Sequence, residues 1–166
     1  MSNDITFSNP APTDGAQVFD LVEACPPLDT NSRYCNLLQC SHFADTCLAA
    51  WQNKKLVGFI SGYIPPQESN TYFLWQIAVH ESARGQNLTQ RMLDEVLKLP
   101  ACHAVRQVKT TITPDNAASQ RVFEKLAERH NAAIHNEPFF TRDDHFAGHH
   151  DTEFLYTIGP VNQARS

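Results

Sequence analysis

The sequence predicts a mixed α/β (α+β) layer fold in one piece, and three observations carry that reading. Strand-like and helix-like patterns follow one another in the order β-αα-βββ-α-β-α-ββ along 166 residues. No repeat, linker or low-complexity stretch interrupts them, so a single domain over residues 1–166 is expected, with its core from about residue 5 to 160. Hydrophobic residues make up 42% and charged residues 19% of the chain. Those are ordinary globular values, and they argue against disorder.

The first strand is read at Ile5–Ser8. In "PTDGAQVFDLVEAC", Thr13 or Asp14 can cap a helix whose Val18, Leu21, Val22 and Cys25 recur on one face. Pro26 and Pro27 end it, because proline cannot continue a helix. Asn31 or Ser32 can cap a second helix, where Tyr34, Leu37, Leu38 and Phe43 recur at helical spacing. "TCLAAW" and "LVGFISGYI" read as strands joined through the polar turn "QNKK", and "TYFLWQIAV" as the next strand. A helix is expected from about Gln86 to Lys98, with Leu88, Met92, Val96 and Leu99 as its apolar stripe and Pro100 as its stop. The β-branched "VRQVKTTIT" is strand-like. "PDNAASQRVFEKLAERH" is helical, with Asp115 or Asn116 as cap and Val122 and Leu126 turned inward. A short strand at Ala132–His135, a His/Asp-rich loop to Glu153 and a last strand "FLYTIG" complete the chain.

Charge and composition narrow the function. A formal net charge of −5 with no Lys/Arg cluster argues against a nucleic-acid partner. No stretch approaches the roughly 20 apolar residues that span a bilayer, and the N-terminus has neither the basic start nor the apolar run of a signal peptide. A soluble cytoplasmic protein with no membrane partner is the expectation. Cys25, Cys35, Cys40, Cys47 and Cys102 are odd in number and lack C-x-x-C spacing, so they are read as reduced side chains.

The informative stretch is "WQIAVHESARGQNLTQRML", in which an apolar strand gives way to a helix through a glycine-containing gap. Unpaired N–H groups at a helix start attract anions. Gly85 lets a ligand approach the backbone there, and Arg84 adds a guanidinium. This stretch resembles the acetyl-CoA-binding core of the GNAT superfamily of N-acetyltransferases. That pattern is a strand ending in Val, four residues, then Arg/Gln-x-x-Gly-x-Gly/Ala opening a helix. Val79, His80–Ala83 and Arg84-Gly85-Gln86-Asn87-Leu88-Thr89 fall on those positions. The resemblance implies the GNAT acyl-CoA N-acyltransferase fold, a central mixed, mostly antiparallel sheet flanked by helices on both faces. It also implies acetyl-CoA as cosubstrate, with its pyrophosphate on the Arg84–Thr89 amides and its pantetheine arm along Ile77, Ala78 and Val79. Backbone near Ile77 would donate to the oxyanion, Asn116 would touch the cofactor, and the chain would form a homodimer. Three residues depart from the pattern. Asn87 stands where a second glycine is usual and can keep the loop shape, since Asn tolerates left-handed φ. Thr89 replaces a small residue, and Phe123 stands where many relatives carry a proton-donating Tyr.

A narrower likeness covers nearly the whole chain. "CPPLDTNSRYCNLLQCSHFADTC", "VGFISGY", "TYFLWQIAV", "TTITPDNAAS" and "GHHDTEFLYTIGP" closely resemble the diaminobutyrate acetyltransferase family of ectoine biosynthesis. This implies acetyl transfer to the 4-amino group of L-2,4-diaminobutyrate. Such an acceptor carries two ammonium groups and a carboxylate, so Asp29 and Glu153 are candidate amine clamps, each alternatively a cap or a solvated acid. Trp75 walls the amine pocket or lies in the core; Tyr34 stands beside Asp29 or packs in its helix. Glu153, Asp29 and His150 are the available bases, with Glu153 preferred. His150 and Glu153 are the expected substrate contacts of the His-rich loop. Arg33 is a candidate for the substrate carboxylate or a solvent-facing position. The cluster of His145, His149, His150, Asp143, Asp144 and Asp151 matches no standard zinc spacing, so no metal is expected. The alternatives are a GNAT enzyme for another small amine, or a non-catalytic acetyl-CoA-binding module.

Overall fold

The computed structural model describes residues 4–162, which contain seven strands and four α-helices. They divide into two compact units. One comprises the stretch up to Ile64 together with Leu74–His103; the other comprises Pro65–Phe73 together with the stretch from Ala104.

In the first unit, β1 (Thr6–Ser8), β2 (Leu48–Gln52), β3 (Lys55–Tyr63) and the later part of β4 (Thr71–Val79) are neighbours in that order. β2 pairs antiparallel with both β1 and β3. The β2–β3 turn places Asn53 and Lys54 at φ 52° and 66°, the two left-handed residues that match the twist of a tight hairpin. Strand neighbours point to opposite faces, and the two faces receive different helices. Ala49 and Phe59 enter a buried cluster with Val18, Leu21 and Val22 of α1 (Gly15–Glu23) and with Ala78 of β4. Ala50 and Gly58 face the other way, toward α3 (Leu88–Leu97). A Cβ on Gly58 would stand 2.5 Å from the Met92 sulfur, 3.2 Å from the Ala50 Cβ and 3.4 Å from Leu88. The small residues are what allow α3 to sit so close.

α2 (Arg33–Gln39) differs from the sequence reading. Ser32 caps it as anticipated, accepting from the Cys35 N–H at 3.0 Å. Its buried side chains, however, are Asn36 and Gln39, each 1% exposed, while Tyr34 is 69% and Leu37 41% exposed. A seven-residue helix is too short for its apolar stripe to dictate its orientation. Packing against α1 does so instead, and Leu37 lies over Gly15 at the start of α1. The buried polar pair bonds to itself, Asn36 Nδ2 donating to Gln39 Oε1 at 3.0 Å.

The second unit is built on β5 (Gln107–Ile112), β7 (Glu153–Gly159) and β6 (Ala133–Phe140), antiparallel with β7 in the middle. α4 (Ala117–Arg129) packs on β6 and β7 and buries Phe123, Leu126 and Ala127. Val122 is only half-buried; the inward turn falls one residue later. β6 runs well beyond the expected His135. Its continuation "NEPFF" is exposed and holds Pro138, which an edge strand tolerates because one side of it needs no ladder bonds. The register slips between Pro138 and Phe140. Among the described residues, no helix is long and apolar enough to cross a membrane.

All five cysteines are thiols without a disulfide. Burial pushes Cys40 up to about 11 and Cys47 up to about 12, from 9.0 for an open thiol. Between those values the folded chain keeps protons that the unfolded chain has lost. Stability is therefore expected to be full below pH 9 and to fall as pH rises from 9 toward 12; Cys47→Ala should flatten that decline in denaturant titrations at successive pH. Separately, Gly58→Val should destabilise the protein by about 1–3 kcal/mol through overpacking against Met92, read as a lower urea midpoint.

Candidate active site

The gap after β4 is shaped residue by residue. The His80 N–H donates to the Val57 carbonyl at 2.8 Å, and the His80 ring accepts from the Ser82 N–H at 3.1 Å, opening a single 3-10 turn over Glu81–Ala83. Arg84 is then extended, Gly85 turns to φ 84°, and Asn87 adopts φ 56°, ψ 29°. Asn87 thus holds the left-handed geometry expected of it. It also stops the helix from starting at Gln86, so α3 begins at Leu88, which is 2% exposed and anchors the turn in the core. Nothing stands within 4 Å of where a Cβ on Gly85 would project, so the backbone is open to a ligand on that side.

The helix start completes the arrangement. Ser32 and Asn116 cap their helices by accepting main-chain N–H bonds, whereas no side chain caps α3. The first amides of α3 thus have no side-chain acceptor and sit at the positive end of the helix dipole, beside the exposed Arg84, Gly85 and Gln86. Such a cradle suits a diphosphate. Thr89 is half-buried in the first turn.

Asp29 lies exposed in the strap between α1 and α2. Three bonds fasten this strap to β4. Cys25 Sγ donates to the Val79 carbonyl at 3.3 Å, Gln76 Nε2 donates to the Asp29 carbonyl at 2.7 Å, and Asn31 Nδ2 donates to Gln76 Oε1 at 3.4 Å. Trp75, the neighbour of Gln76, is 38% exposed, which places it at the surface rather than in the core. Its ring meets Tyr63 at 6.1 Å and Phe43 at 6.4 Å, both edge-on. Ile77 and Val79 are half-buried and Ala78 is buried. Arg33 lays its guanidinium 4.2 Å over the Phe19 ring, and Tyr34 points outward from α2.

The remaining candidates belong to the second unit. Asn116 Oδ1 accepts from the Ser119 N–H at 3.1 Å, so this side chain caps α4. The loop from Thr141 to Thr152 is tied by its own polar groups: His145 Nδ1 accepts from the Thr141 N–H at 2.8 Å, and Thr152 Oγ1 from the Arg142 N–H at 3.0 Å. His150 Nδ1 lies 2.6 Å from the Asp151 carbonyl. A carbonyl only accepts, so Nδ1 carries the hydrogen and the neutral ring has its lone pair on Nε2. That atom is 3.9 Å from Glu153 Oε1 at the start of β7. The Phe146 ring, 4.5 Å away, supports the imidazole. His150 also lines a cavity of about 420 Å³ with Thr113, Asp115, Arg142 and Asp151. Phe123 is 3% exposed and has no proton to give. Among the described residues, no group of three or more His, Cys, Asp or Glu is placed to hold a metal ion.

Residues 16–127 match the sequence profile of the acetyltransferase (GNAT) family. The chain belongs to that family. Its fold is accordingly the GNAT acyltransferase fold. This GNAT chain is 49% identical over 162 residues to an L-2,4-diaminobutyric acid acetyltransferase of Methylotuvimicrobium alcaliphilum, covering 98% of this chain and 94% of that one. It is 45% identical over 152 residues to the enzyme of the same name from Vibrio cholerae, covering 92% and 88%. Among solved structures it resembles the diaminobutyrate acetyltransferase of Paenibacillus lautus in complex with L-2,4-diaminobutyric acid and coenzyme A, with TM-score 0.89, 35% identity and 96% of each chain covered.

The anticipated residues of this GNAT chain thus fall in two groups. Asp29, Tyr34, Trp75, Ile77–Val79 and Arg84–Thr89 stand in the first unit, and Asn116, His150 and Glu153 in the second. Asp29 and Trp75 come to one segment of β4, and His150 and Glu153 come to one end of β7. Sequence reasoning missed Gln76, Tyr63 and Phe43. Gln76 had a visible signal, as the one amide in the apolar run "FLWQIAV". Phe43 lies past the end of α2 rather than on its face. The left-handed turn yields a test by acetyl-CoA titration calorimetry. Asn87→Gly should keep the dissociation constant within about twofold, while Asn87→Val should weaken binding about tenfold, since a β-branched residue at this φ costs roughly 1–2 kcal/mol.

Proposed function

We propose that the protein is an L-2,4-diaminobutyrate N4-acetyltransferase. It transfers acetyl from acetyl-CoA to the 4-amino group, giving N4-acetyl-L-2,4-diaminobutyrate for ectoine biosynthesis. It works as a cytoplasmic homodimer. The observation that carries this reading is the near-full-length likeness to diaminobutyrate acetyltransferases, one of them solved with the diamino acid and coenzyme A. The chain's own geometry supplies a mechanism consistent with it.

The open Gly85 backbone and the uncapped start of α3 hold the diphosphate, and Ile77–Val79 run along the pantetheine arm. Asn116, whose Oδ1 is occupied by the cap, turns its amide NH2 to the coenzyme. Asp29 binds the 2-ammonium group, with Trp75 and Tyr34 beside it. The 4-ammonium group has a pKa of roughly 10, so it must lose a proton before it can attack. Glu153 takes that proton, either directly or through the Nε2 lone pair of His150 next to it. The freed amine forms its C–N bond to the thioester carbon while a main-chain N–H near Ile77 stabilises the oxyanion. Collapse breaks the C–S bond, and the second proton on the attacking nitrogen passes through water to the departing thiolate, since Phe123 has none to give.

Thiol release measured against a panel of diamines tests the assignment. Turnover is expected with L-2,4-diaminobutyrate, with ornithine, lysine and peptide amino termini far slower; a different preferred acceptor would replace it. Glu153→Gln should lower kcat/KM about 10²–10⁴-fold with acetyl-CoA affinity unchanged. An unaltered rate removes Glu153 from the mechanism.

A further inference from the structure

Gln76 is a half-buried amide in a strand that is otherwise apolar or aromatic from Tyr72 to Val79. Both ends of the amide are bonded. Nε2 donates to the Asp29 carbonyl at 2.7 Å, and Oε1 accepts from Asn31 Nδ2 at 3.4 Å. Its main chain is fixed as well, the N–H donating to Ser61 Oγ of β3 at 3.1 Å. One side chain on a rigid strand therefore grips two points of a segment that lies more than forty residues earlier in the chain.

Beyond Leu28, which packs against the core cluster at its start, that segment has little else to locate it. Residues 28–32 form neither helix nor strand, and Asp29 and Thr30 are exposed. Its other ties lie at its two ends: Cys25 Sγ to Val79 and the Leu28 N–H to the Cys25 carbonyl at one, and the Ser32 cap of α2 at the other. The Asp29 main chain, between those ends, is held by Gln76.

We propose that Gln76 is a positioning residue for the acetyl acceptor: its amide clamp sets where the Asp29 carboxylate stands along β4, beside Trp75, and so where the substrate's ammonium group is held. This rests on the reading of Asp29 as an ammonium clamp. Gln76 touches no substrate and acts through Asp29. It thereby turns an exposed, irregular strap into a preorganised anionic site, because the strap's freedom is lost on folding rather than on binding.

The test is a double-mutant cycle with a physical readout. Gln76→Leu preserves size and removes both polar ends. It should raise KM for L-2,4-diaminobutyrate about tenfold, the effect of one hydrogen bond, and leave the acetyl-CoA dissociation constant within about twofold. Gln76→Glu, which keeps the acceptor but lacks the donor, should behave like Gln76→Leu. In an Asp29→Asn background, Gln76→Leu should add little, because the two act as a unit. Main-chain hydrogen exchange over residues 28–32 should quicken in Gln76→Leu. Should Gln76→Leu fail to fold, Asn31→Ala, which loosens the clamp from the strap side, should show the same selective rise in KM. An unchanged KM for the diamine, an effect additive with Asp29→Asn, or unaltered exchange over the strap each overturns the proposal. Wild-type enzyme inert toward L-2,4-diaminobutyrate would instead overturn the substrate assignment, and strap exchange would still decide whether the clamp exists.

Discussion

The close seat of α3 on β2 and β3 is the constraint on which the proposed coenzyme cradle depends. Gly58 and Ala50 remove the side-chain bulk that would hold the helix off, and Met92 and Leu88 fill the space. With Leu88 buried, the first turn of α3 has a fixed place relative to the sheet. The Gly85–Asn87 turn must then bridge a fixed end of β4 to a fixed helix start. It does so with two left-handed residues, and it leaves the helix amides uncapped. A sheet–helix packing detail thus shapes the proposed anion site: dense packing does not yield, so the turn takes the strain.

A different principle governs the acid side of the site. Asp29, the proposed amine clamp, is carried by neither helix nor strand. The protein holds it by bonding the strap's main chain rather than the carboxylate itself. The carboxylate stays exposed, while the backbone beneath it is held. Trp75 on the next position of β4 faces away from this bond, toward Phe43 and Tyr63. Adjacent strand residues thus divide the labour, one fastening the strap and the other presenting an aromatic surface.

In the second unit the His-rich loop is ordered by its own short-range bonds. Asp151 fixes the protonated nitrogen of His150 and leaves the basic nitrogen toward Glu153. A histidine and a carboxylate at that separation can share the handling of one proton without being locked into an ion pair. Phe123 is buried on α4 and carries no proton, which is why the leaving thiolate relies on water in the proposed mechanism.

Much of this was legible in one dimension. The order of elements, the hairpin turn at "QNKK", the Ser32 and Asn116 caps, and the left-handed Asn87 were all readable because they depend on residues a few positions apart. Such windows contain their own physics: strand alternation, helix periodicity, capping and allowed φ. Family membership was readable too, since the strand–glycine turn–helix pattern that carries it is continuous in the chain. Three features lay beyond that reach. α2 buries Asn36 and Gln39 in place of its apolar residues, β6 continues through Pro138, and Gln76 holds Asp29 across 47 positions. Each is decided by a partner distant in sequence: α1 against α2, β7 alongside β6, the strap against β4. A short element has too little surface to choose its own orientation, so tertiary packing chooses for it.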